Sequence, residues 1–469
     1  MIPTLFGVLT VGLCGFLLWQ SSTLAMLQTV MLLSLMGGAA AIVLSSLGGS
    51  TVQPAILALG FLTLRCLAPA PGSGEHIVNA FARLVFLAGF VLYGVIGAMI
   101  LPRIFAGTLD VTPLRPIPNG YLFAAFPLAF SSQNITSAVY LTSTLMAALC
   151  AFLACRTEGA WRAVARTASV IAAIHAVLGL ASVVLAGTGI WSLFQNFFRN
   201  GFYAQLDQTM EGVSRMTGIF PESSVYAAYG FVWLVFVTEL WLRRVEPRWT
   251  SKAAAILGLA LLLSTSTTAY IGLTAYILSL SLRMVFFPGS IDFSKALLLI
   301  AGGLVMLAAL IALIAFHPQA AAALGEFTAR FTVAKAESAS AMQRAFWAKQ
   351  GWSGFLISSG LGIGPGSFRS SSIVLAVLGS TGVIGSVCFI CHLARTFQPL
   401  SRSTYFPTDD PVRNTGVAAS WAVTVMLVPA SVSAATADPG IVWGMLCGVA
   451  LALRPAAVQQ GGNPIDTTL

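Results

Sequence analysis

The stretch SIVLAVLGSTGVIGSVCFICHLA, residues 372–394, decides the class of fold. Its 23 residues include no Asp, Glu, Lys or Arg, and a helix of that length spans the roughly 30 Å hydrocarbon core of a bilayer. Comparable apolar strings, separated by short polar breaks, recur from one end of the chain to the other. The stretch therefore predicts one transmembrane helix among many.

Composition excludes a soluble globular protein. Of the 469 residues, 57% are hydrophobic and only 8% are charged, and the mean hydropathy is +0.88, so too little polar surface is available to enclose the apolar residues. A transmembrane β-barrel would instead show alternating segments of about ten residues, which the sequence lacks. We predict an all-α, polytopic integral membrane protein, a single transmembrane domain over residues 1–469 with about 12–13 spanning helices. These helices are expected near 3–19, 23–46, 52–70, 79–101, 132–154, 165–187, 222–242, 253–264, 268–283, 294–316, 372–394, 415–433 and 438–453.

The N-terminal segment and the cysteines indicate no processing and no cofactor. Residues 1–19 lack the cationic start and the small-residue cleavage site of a signal peptide, so we expect them to form the first membrane helix. Residues 388–392, CFICH, match the short pattern of c-type haem attachment but continue an apolar helix, and we expect them to pack inertly. The predicted external loops contain no carboxylate cluster of the Asp-x-Asp kind, so the sequence gives no indication of a metal ion.

Lys and Arg in the short loops predict the orientation, because cytoplasmic loops hold an excess of positive charge. The cationic clusters that can all be cytoplasmic together are Arg156, Arg162 and Arg166; Arg243, Arg244, Arg248 and Lys252; Arg283 and Lys295; and Arg395, Arg402 and Arg413. Three loops are then external, at 102–131, 188–221 and 317–371. The net charge of +9 fits contact with anionic lipid headgroups better than contact with nucleic acid.

The loops 188–221 and 317–371 nevertheless carry many cations on the side where cations should be sparse. They include Arg199, Arg215, Arg330, Lys335, Arg344, Lys349 and Arg369. Long loops cross the membrane regardless of charge, so any one of these residues can simply be solvated or paired with a nearby acid. Several lie in aromatic-rich amphipathic stretches such as 191–206, which suit the membrane surface. Arginine also suits forked recognition of a diphosphate.

A first motif occurs where the loop 188–221 enters a membrane helix, at 214–229, SRMTGIFPESSVYAAY. Pro221, Glu222 and the serines that follow form a plausible helix start, with Pro221 in the first turn and an acid near the positive end of the helix dipole. One interpretation of Glu222 is therefore a helix cap. The other is a carboxylate close to Arg215 that accepts a proton from a sugar hydroxyl.

A second motif is Gly-rich, in the segment 344–368, RAFWAKQGWSGFLISSGLGIGPGSF. Gly364 and Gly366 belong to a run of glycines that permits unusual backbone conformations and close approach to a ligand. The run lacks the Lys-Ser/Thr of a phosphate-binding loop and has no preceding strand. Taken alone, it indicates only a turn before a helix.

In their order and spacing, these segments resemble the O-antigen ligase and polymerase superfamily of bacterial envelope glycosyltransferases. The matching features are an external Arg followed by Gly-x-Phe-Pro, a Ser-rich break before an apolar helix, Arg-x-x-Trp in a large external loop, Gly-x-Gly-x-Gly-x-Phe, and Gly-x-x-Gly in a helix. In this chain they are Arg215, Gly218, Phe220 and Pro221; Leu263 to Tyr270; Arg344 and Trp347; Gly362, Gly364, Gly366 and Phe368; and Gly382 and Gly385. The specific part of the resemblance covers about residues 200–395.

The resemblance implies a GT-C-like helical bundle in which the two periplasmic loops, 188–221 and 317–371, contain short amphipathic helices. It also implies a bacterial inner-membrane enzyme whose active site faces the periplasm. The expected substrate is an oligosaccharide carried on undecaprenyl diphosphate. Expected partners are the bilayer and the chain-length regulator and flippase of the same export system. The resemblance implies that Arg215 and Arg344 neutralise the departing diphosphate. We expect either that Glu222 serves as the base or that departure of the leaving group comes first and no strong base is needed. The residues expected to bind substrate are Arg199, Arg330, Arg369, Gly364 and Gly366.

The chain also departs from the family pattern. Ligases typically carry a His-Asn pair shortly after the Gly-rich motif, where this sequence has Ser370, Ser371 and Ser372. The departure favours a divergent exopolysaccharide, O-antigen or capsule polymerase over a ligase that transfers glycan to lipid A core.

A lipid-linked glycan flippase or secondary transporter is the alternative from another class. A transporter is expected to place ionisable residues near the bilayer centre. The sequence offers His175 there, which we expect to be a hydrogen-bonded packing residue. Glu239 lies near a predicted helix end, where solvent should reach it.

Overall fold

The computed structural model is predominantly helical and describes residues 2–20, 22–45, 49–68, 73–115, 123–200, 209–210, 213–302 and 339–454. Its helices are α1 (Leu5–Gln20), α2 (Thr23–Leu33), α3 (Pro54–Leu67), α4 (Ser73–Arg83), α5 (Val85–Ile104), α6 (Ser132–Ala154), α7 (Ala160–Val184), α8 (Gly189–Phe198), α9 (Ser223–Leu242), α10 (Pro247–Leu263), α11 (Thr267–Phe286), α12 (Phe293–Gly302), α13 (Ala339–Ile357), α14 (Ile373–Phe397), α15 (Arg402–Tyr405), α16 (Pro411–Val425), α17 (Leu427–Ala430) and α18 (Ile441–Ala452).

Six of the described helices, α5, α6, α7, α9, α11 and α14, are long and apolar enough to cross a membrane. Shorter apolar helices are α1, α2, α3, α12 and α18. The prediction of an all-α, polytopic membrane protein is therefore confirmed. The number of about 12–13 spanning helices stays a prediction, because several of the described apolar helices are shorter than the roughly 20 residues that a bilayer requires.

Short antiparallel strands join some of the helix ends. β1 (Ile2–Pro3), β2 (Ile42–Leu44) and β3 (Ser50–Val52) pair in that order, with Ile2 opposite Val43 and Val43 opposite Thr51. Two further pairs are β4 (Asp110–Val111) with β5 (Phe126–Pro127), and β6 (Thr209–Met210) with β7 (Val213–Ser214).

Several predicted helix boundaries are wrong. The predicted helix at 23–46 ends at Leu33, because Gly37 and Gly38 pack against the segment before α9 and residues 42–44 form β2. A Cβ at Gly38 would lie 2.4 Å from the carbonyl oxygen of Ile219, so only glycine permits this approach. The predicted helix at 79–101 consists of two helices, α4 and α5, that meet at Leu84.

The Ser-rich break at 263–268 is a hairpin. α10 ends at Leu263 and α11 begins at Thr267, and Thr265 between them has a left-handed φ of +51°. Arg283, at the end of α11, contacts Glu239 near the end of α9, which is also the end from which α10 starts. The two helices therefore run in opposite directions.

The bundle is closely packed around α9 and between α6 and α18. Trp233 and Phe236 of α9 are fully buried. A Cβ at Gly444 would lie 2.3 Å from the carbonyl oxygen of Thr144, and one at Gly448 would lie 2.2 Å from that of Ala148. The Gly-x-x-x-Gly spacing thus lets the α18 backbone approach α6 directly, as small residues do between membrane helices.

Candidate functional site

Arg215 and Arg344 lie close enough in the folded chain for their charges to act on each other. Burial lowers the pKa of the Arg215 guanidinium, and the positive charge of Arg344 lowers the pKa further. Glu222 and Tyr270 act on the same guanidinium in the opposite direction. These four residues come from the segment before α9, from α13 and from the start of α11, and we refer to them as the cationic site.

Packing contacts and a hydrogen bond hold the main-chain segment 215–222 in place on both sides of Gly218. Gly218 has a φ of +52° and packs against the ring of Tyr226. Phe220 is 2% exposed and contacts the ring of Tyr229, with the two ring centroids 4.8 Å apart. One guanidinium nitrogen of Arg215, Nη2, donates to the carbonyl oxygen of Thr265 at 3.3 Å. The α10–α11 hairpin therefore holds the Arg215 side chain directly.

Arg344 is fixed by the packing of α13 against α14. Its carbonyl oxygen accepts a hydrogen bond from the Ser371 hydroxyl at 2.7 Å. A Cβ at Gly351 would lie 2.4 Å from the carbonyl oxygen of Leu375, so glycine is needed where the two helices touch. The serine segment 370–372 thus supports the helix that carries Arg344.

Glu222 is the N-cap residue of α9, and within the described part of the chain its side chain makes no capping hydrogen bond to the helix backbone. Instead its Oε2 accepts a hydrogen bond from the Ser224 hydroxyl at 3.0 Å. Pro221 precedes the cap, so the prediction that it lies in the first turn of the helix is wrong. The carboxylate lies at the positive end of the α9 dipole and interacts with Arg215.

Arg199 contacts the main-chain segment that carries Arg215. It is only 4% exposed and donates hydrogen bonds to the Thr217 hydroxyl and to the carbonyl oxygen of Gly218. Both acceptors belong to the segment that carries Arg215. The structure therefore shows Arg199 holding this segment in place, whereas substrate binding by Arg199 stays a prediction.

Arg369 is directed towards the segment 112–114. Its backbone N–H donates to the carbonyl oxygen of Thr112 at 2.8 Å, and its Nη1 donates to that of Leu114 at 3.3 Å. The guanidinium lies 4.4 Å from the ring centroid of Trp347, one turn after Arg344 on α13. Arg369 thus lies next to the helix that carries Arg344. The other predicted substrate-binding arginine, Arg330, lies outside the described residues.

Gly364 and Gly366 have left-handed φ values of +90° and +87°. A Cβ at Gly364 would lie 2.7 Å from the carbonyl oxygen of Gly97, and one at Gly366 would lie 2.4 Å from that of Gln133. Packing against α5 and α6 therefore accounts for both glycines, and contact between them and a substrate stays a prediction.

The prediction that solvent reaches Glu239 is wrong. Glu239 is fully buried, and its Oε2 lies 3.2 Å from Nε of Arg243 and 3.0 Å from Nη1 of Arg283. The two arginines are only 1% and 2% exposed, although their positions in the sequence suggested cytoplasmic contact with lipid. Another buried arginine, Arg454, donates to the Thr404 hydroxyl at 2.7 Å. These side chains fix the turn at α15 to the bundle.

Asp438 is an ionisable residue that the sequence pattern did not single out. Its Oδ1 accepts hydrogen bonds from the Thr144 hydroxyl at 2.7 Å and from the Gly440 N–H at 3.2 Å. It also lines a mostly apolar cavity of about 270 Å³ together with Ser224 and Ser433. An aspartate in the otherwise apolar stretch 415–453 is the signal that could have marked it.

His175 of α7 and His392 of α14 are packing residues. His175 is buried, its Nε2 lies 3.1 Å from the carbonyl oxygen of Tyr226, and its ring stacks on that of Tyr226. His392, of the CFICH stretch, is fully buried against Trp443. The expectation of packing roles is met at both positions.

No known family model, curated protein or solved structure is significantly similar to this chain. A functional proposal therefore rests on the residues and their geometry.

Proposed function

We propose that this protein polymerises oligosaccharide repeat units carried on undecaprenyl diphosphate, as in the synthesis of exopolysaccharide, O-antigen or capsule, at the periplasmic face of the inner membrane. The observation that carries the proposal is that Arg215 and Arg344, from segments far apart in the sequence, lie close enough for their charges to interact, and that Glu222 acts on the same Arg215 guanidinium. The likeness of the motifs to the O-antigen ligase and polymerase superfamily supports it.

The cationic site suits a reaction in which a lipid diphosphate departs. Two guanidinium groups near each other and one carboxylate leave an excess of positive charge, which a bound diphosphate relieves. Negative charge grows on the diphosphate oxygen as its bond to the anomeric carbon breaks. Preorganised positive charge at that place stabilises the transition state more than the ground state, which is how such a site accelerates the reaction.

The proposed step is a glycosyl transfer. A hydroxyl oxygen of the acceptor glycan forms the new bond to the anomeric carbon of the donor glycan. The bond between that carbon and the diphosphate oxygen breaks, and its electron pair leaves with undecaprenyl diphosphate. The hydroxyl proton passes to the carboxylate of Glu222, which sits beside Arg215 and is oriented by the Ser224 hydroxyl.

A lipid-linked glycan flippase or secondary transporter is the second candidate, and Asp438 is the observation that favours it. An ionisable residue among apolar helices frequently marks a transport pathway, and Asp438 faces a cavity. Glu239, by contrast, is neutralised by two arginines and is poorly placed to exchange a proton or an ion.

The test is chain extension by the purified full-length protein, supplied with synthetic undecaprenyl-diphosphate repeat units in liposomes. We expect glycans longer than one repeat to accumulate on the lipid carrier. Transfer of glycan to lipid A core, without longer lipid-linked chains, would indicate a ligase. Movement of the substrate across the bilayer without any extension would refute the enzyme and favour the transporter.

A further inference from the structure

A basic cavity of about 530 Å³ lies away from the cationic site, where the ends of α6 and α18 meet α4 and the start of α7. Its lining includes Asn79, Arg83, Arg156, Glu158 and Trp161. The loop that contains Arg156 is predicted to be cytoplasmic, so this cavity opens on the face opposite the proposed active site.

The helix α4 presents three different faces. Ala80 is fully buried and packs against the bundle, as does Leu84 immediately after the helix. Asn79 and Arg83, one turn apart, line the cavity. Val78 and Phe81 are 68% and 43% exposed. A short helix with buried, cationic and exposed apolar faces is typical of a segment that lies at the level of lipid headgroups.

The two arginines of the cavity differ from the nearby arginines of α7 in the salt bridges that the described residues form. Among the residues that the structure describes, neither Arg83 nor Arg156 forms a salt bridge. Nearby on α7, Arg162 and Arg166 both pair with Glu246, at 3.0 Å and 3.2 Å. Among its described lining residues, the cavity therefore combines two guanidinium groups that form no salt bridge with one carboxylate, that of Glu158.

We propose that this cavity binds the headgroup of an anionic phospholipid. Its phosphate lies between Arg83 and Arg156, where it accepts charge-assisted hydrogen bonds from both. Its acyl chains run past Val78 and Phe81, which would otherwise expose apolar surface. Trp161 also lines the cavity, and tryptophan is common at the membrane interface. A soluble phosphate ion would use the arginines alone and would leave the exposed apolar face of α4 uncovered. The inference does not depend on the proposed function.

The experiment compares lipid binding by full-length protein in detergent, using native mass spectrometry with added phosphatidylglycerol or phosphatidylcholine. Wild-type protein should retain phosphatidylglycerol and release phosphatidylcholine. The double variant Arg83→Gln/Arg156→Gln should bind phosphatidylglycerol about 30-fold more weakly, since each cation near a membrane surface contributes about a factor of five. The matched control Arg162→Gln/Arg166→Gln, which removes the same charge from already paired residues, should bind normally.

A second variant separates a lipid from a soluble anion. Val78→Ser/Phe81→Ser keeps both arginines and should weaken phosphatidylglycerol binding while leaving the binding of inorganic phosphate unchanged. Equal retention of the two lipids by the wild type would overturn the proposal. So would an unaltered affinity of the double arginine variant, or full displacement of the lipid by millimolar inorganic phosphate.

Discussion

Replacing Glu239 with Gln should destabilise the protein severely. The substitution keeps the volume of the side chain but removes the negative charge that lies 3.2 Å from Arg243 and 3.0 Å from Arg283. Both arginines are buried, so water cannot solvate them once their counter-charge is lost. Breaking a buried ion pair from one side costs about 3–5 kcal/mol, and two cations depend on this one carboxylate. We therefore expect a loss at the upper end of that range.

The assay is equilibrium unfolding in mixed micelles, followed by tryptophan fluorescence. The matched control is Arg244→Gln, because Arg244 pairs with Asp292 at 3.0 Å but its side chain is 71% exposed. Exposed ion pairs contribute little to stability, so this variant should unfold close to the wild type. Similar unfolding midpoints for Glu239→Gln and Arg244→Gln would refute the conclusion that the Glu239 network is buried and holds the bundle together.

The remaining predictions concern helix packing and the support of the active site. Gly448→Ala should lose about 1–3 kcal/mol of stability through overpacking, because its Cβ would lie 2.2 Å from a carbonyl oxygen of α6, whereas Gly60→Ala, with nothing within 4 Å, should not. Equal thermal midpoints for the two variants would contradict the close α6–α18 approach. Arg199→Gln should lower the maximal rate of chain extension, because it frees the segment that carries Arg215, and Arg199→Lys, which keeps a donor for the Gly218 carbonyl, should restore part of it. A rate unchanged in Arg199→Gln would show that the hydrogen bonds of Arg199 do not position the site.

The class of fold was predictable because segments that contact lipid must be rich in apolar residues, and this enrichment is visible in the composition. Long apolar strings predict spanning helices, and six of the described helices are long and apolar enough to cross a membrane. Boundaries were less predictable wherever a tertiary contact overrides local hydropathy. The chain leaves α2 at Leu33 because Gly38 must meet the carbonyl of Ile219, and no property of the local sequence announces that distant contact.

The charged residues also divide into those that the sequence pattern marks and those whose surroundings depend on tertiary contacts. The arginines of the loops 188–221 and 317–371 break the charge rule if those loops are external, as the sequence predicts, and Arg215 and Arg344 lie close enough for their charges to interact. Arg243 and Arg283 obey the rule, so the sequence suggested that they face lipid headgroups. Their burial around Glu239 depends on partners from separate helices, which a rule based on loop charge does not consider.

In the proposed reaction, Arg215 and Arg344 together stabilise a departing lipid diphosphate. The most direct measurement is the rate of chain extension, at saturating undecaprenyl-diphosphate repeat unit, for Arg215→Ala and Arg344→Ala beside Arg103→Ala. Arg103, at the end of α5, rests on the ring of Phe130 and is the control for loss of a cation on the same predicted side of the membrane. We predict a loss of about 10²–10³-fold for each of the first two variants, as for removal of one transition-state donor, and near wild-type extension for the third. Chain extension that survives in both Arg215→Ala and Arg344→Ala would contradict the claim.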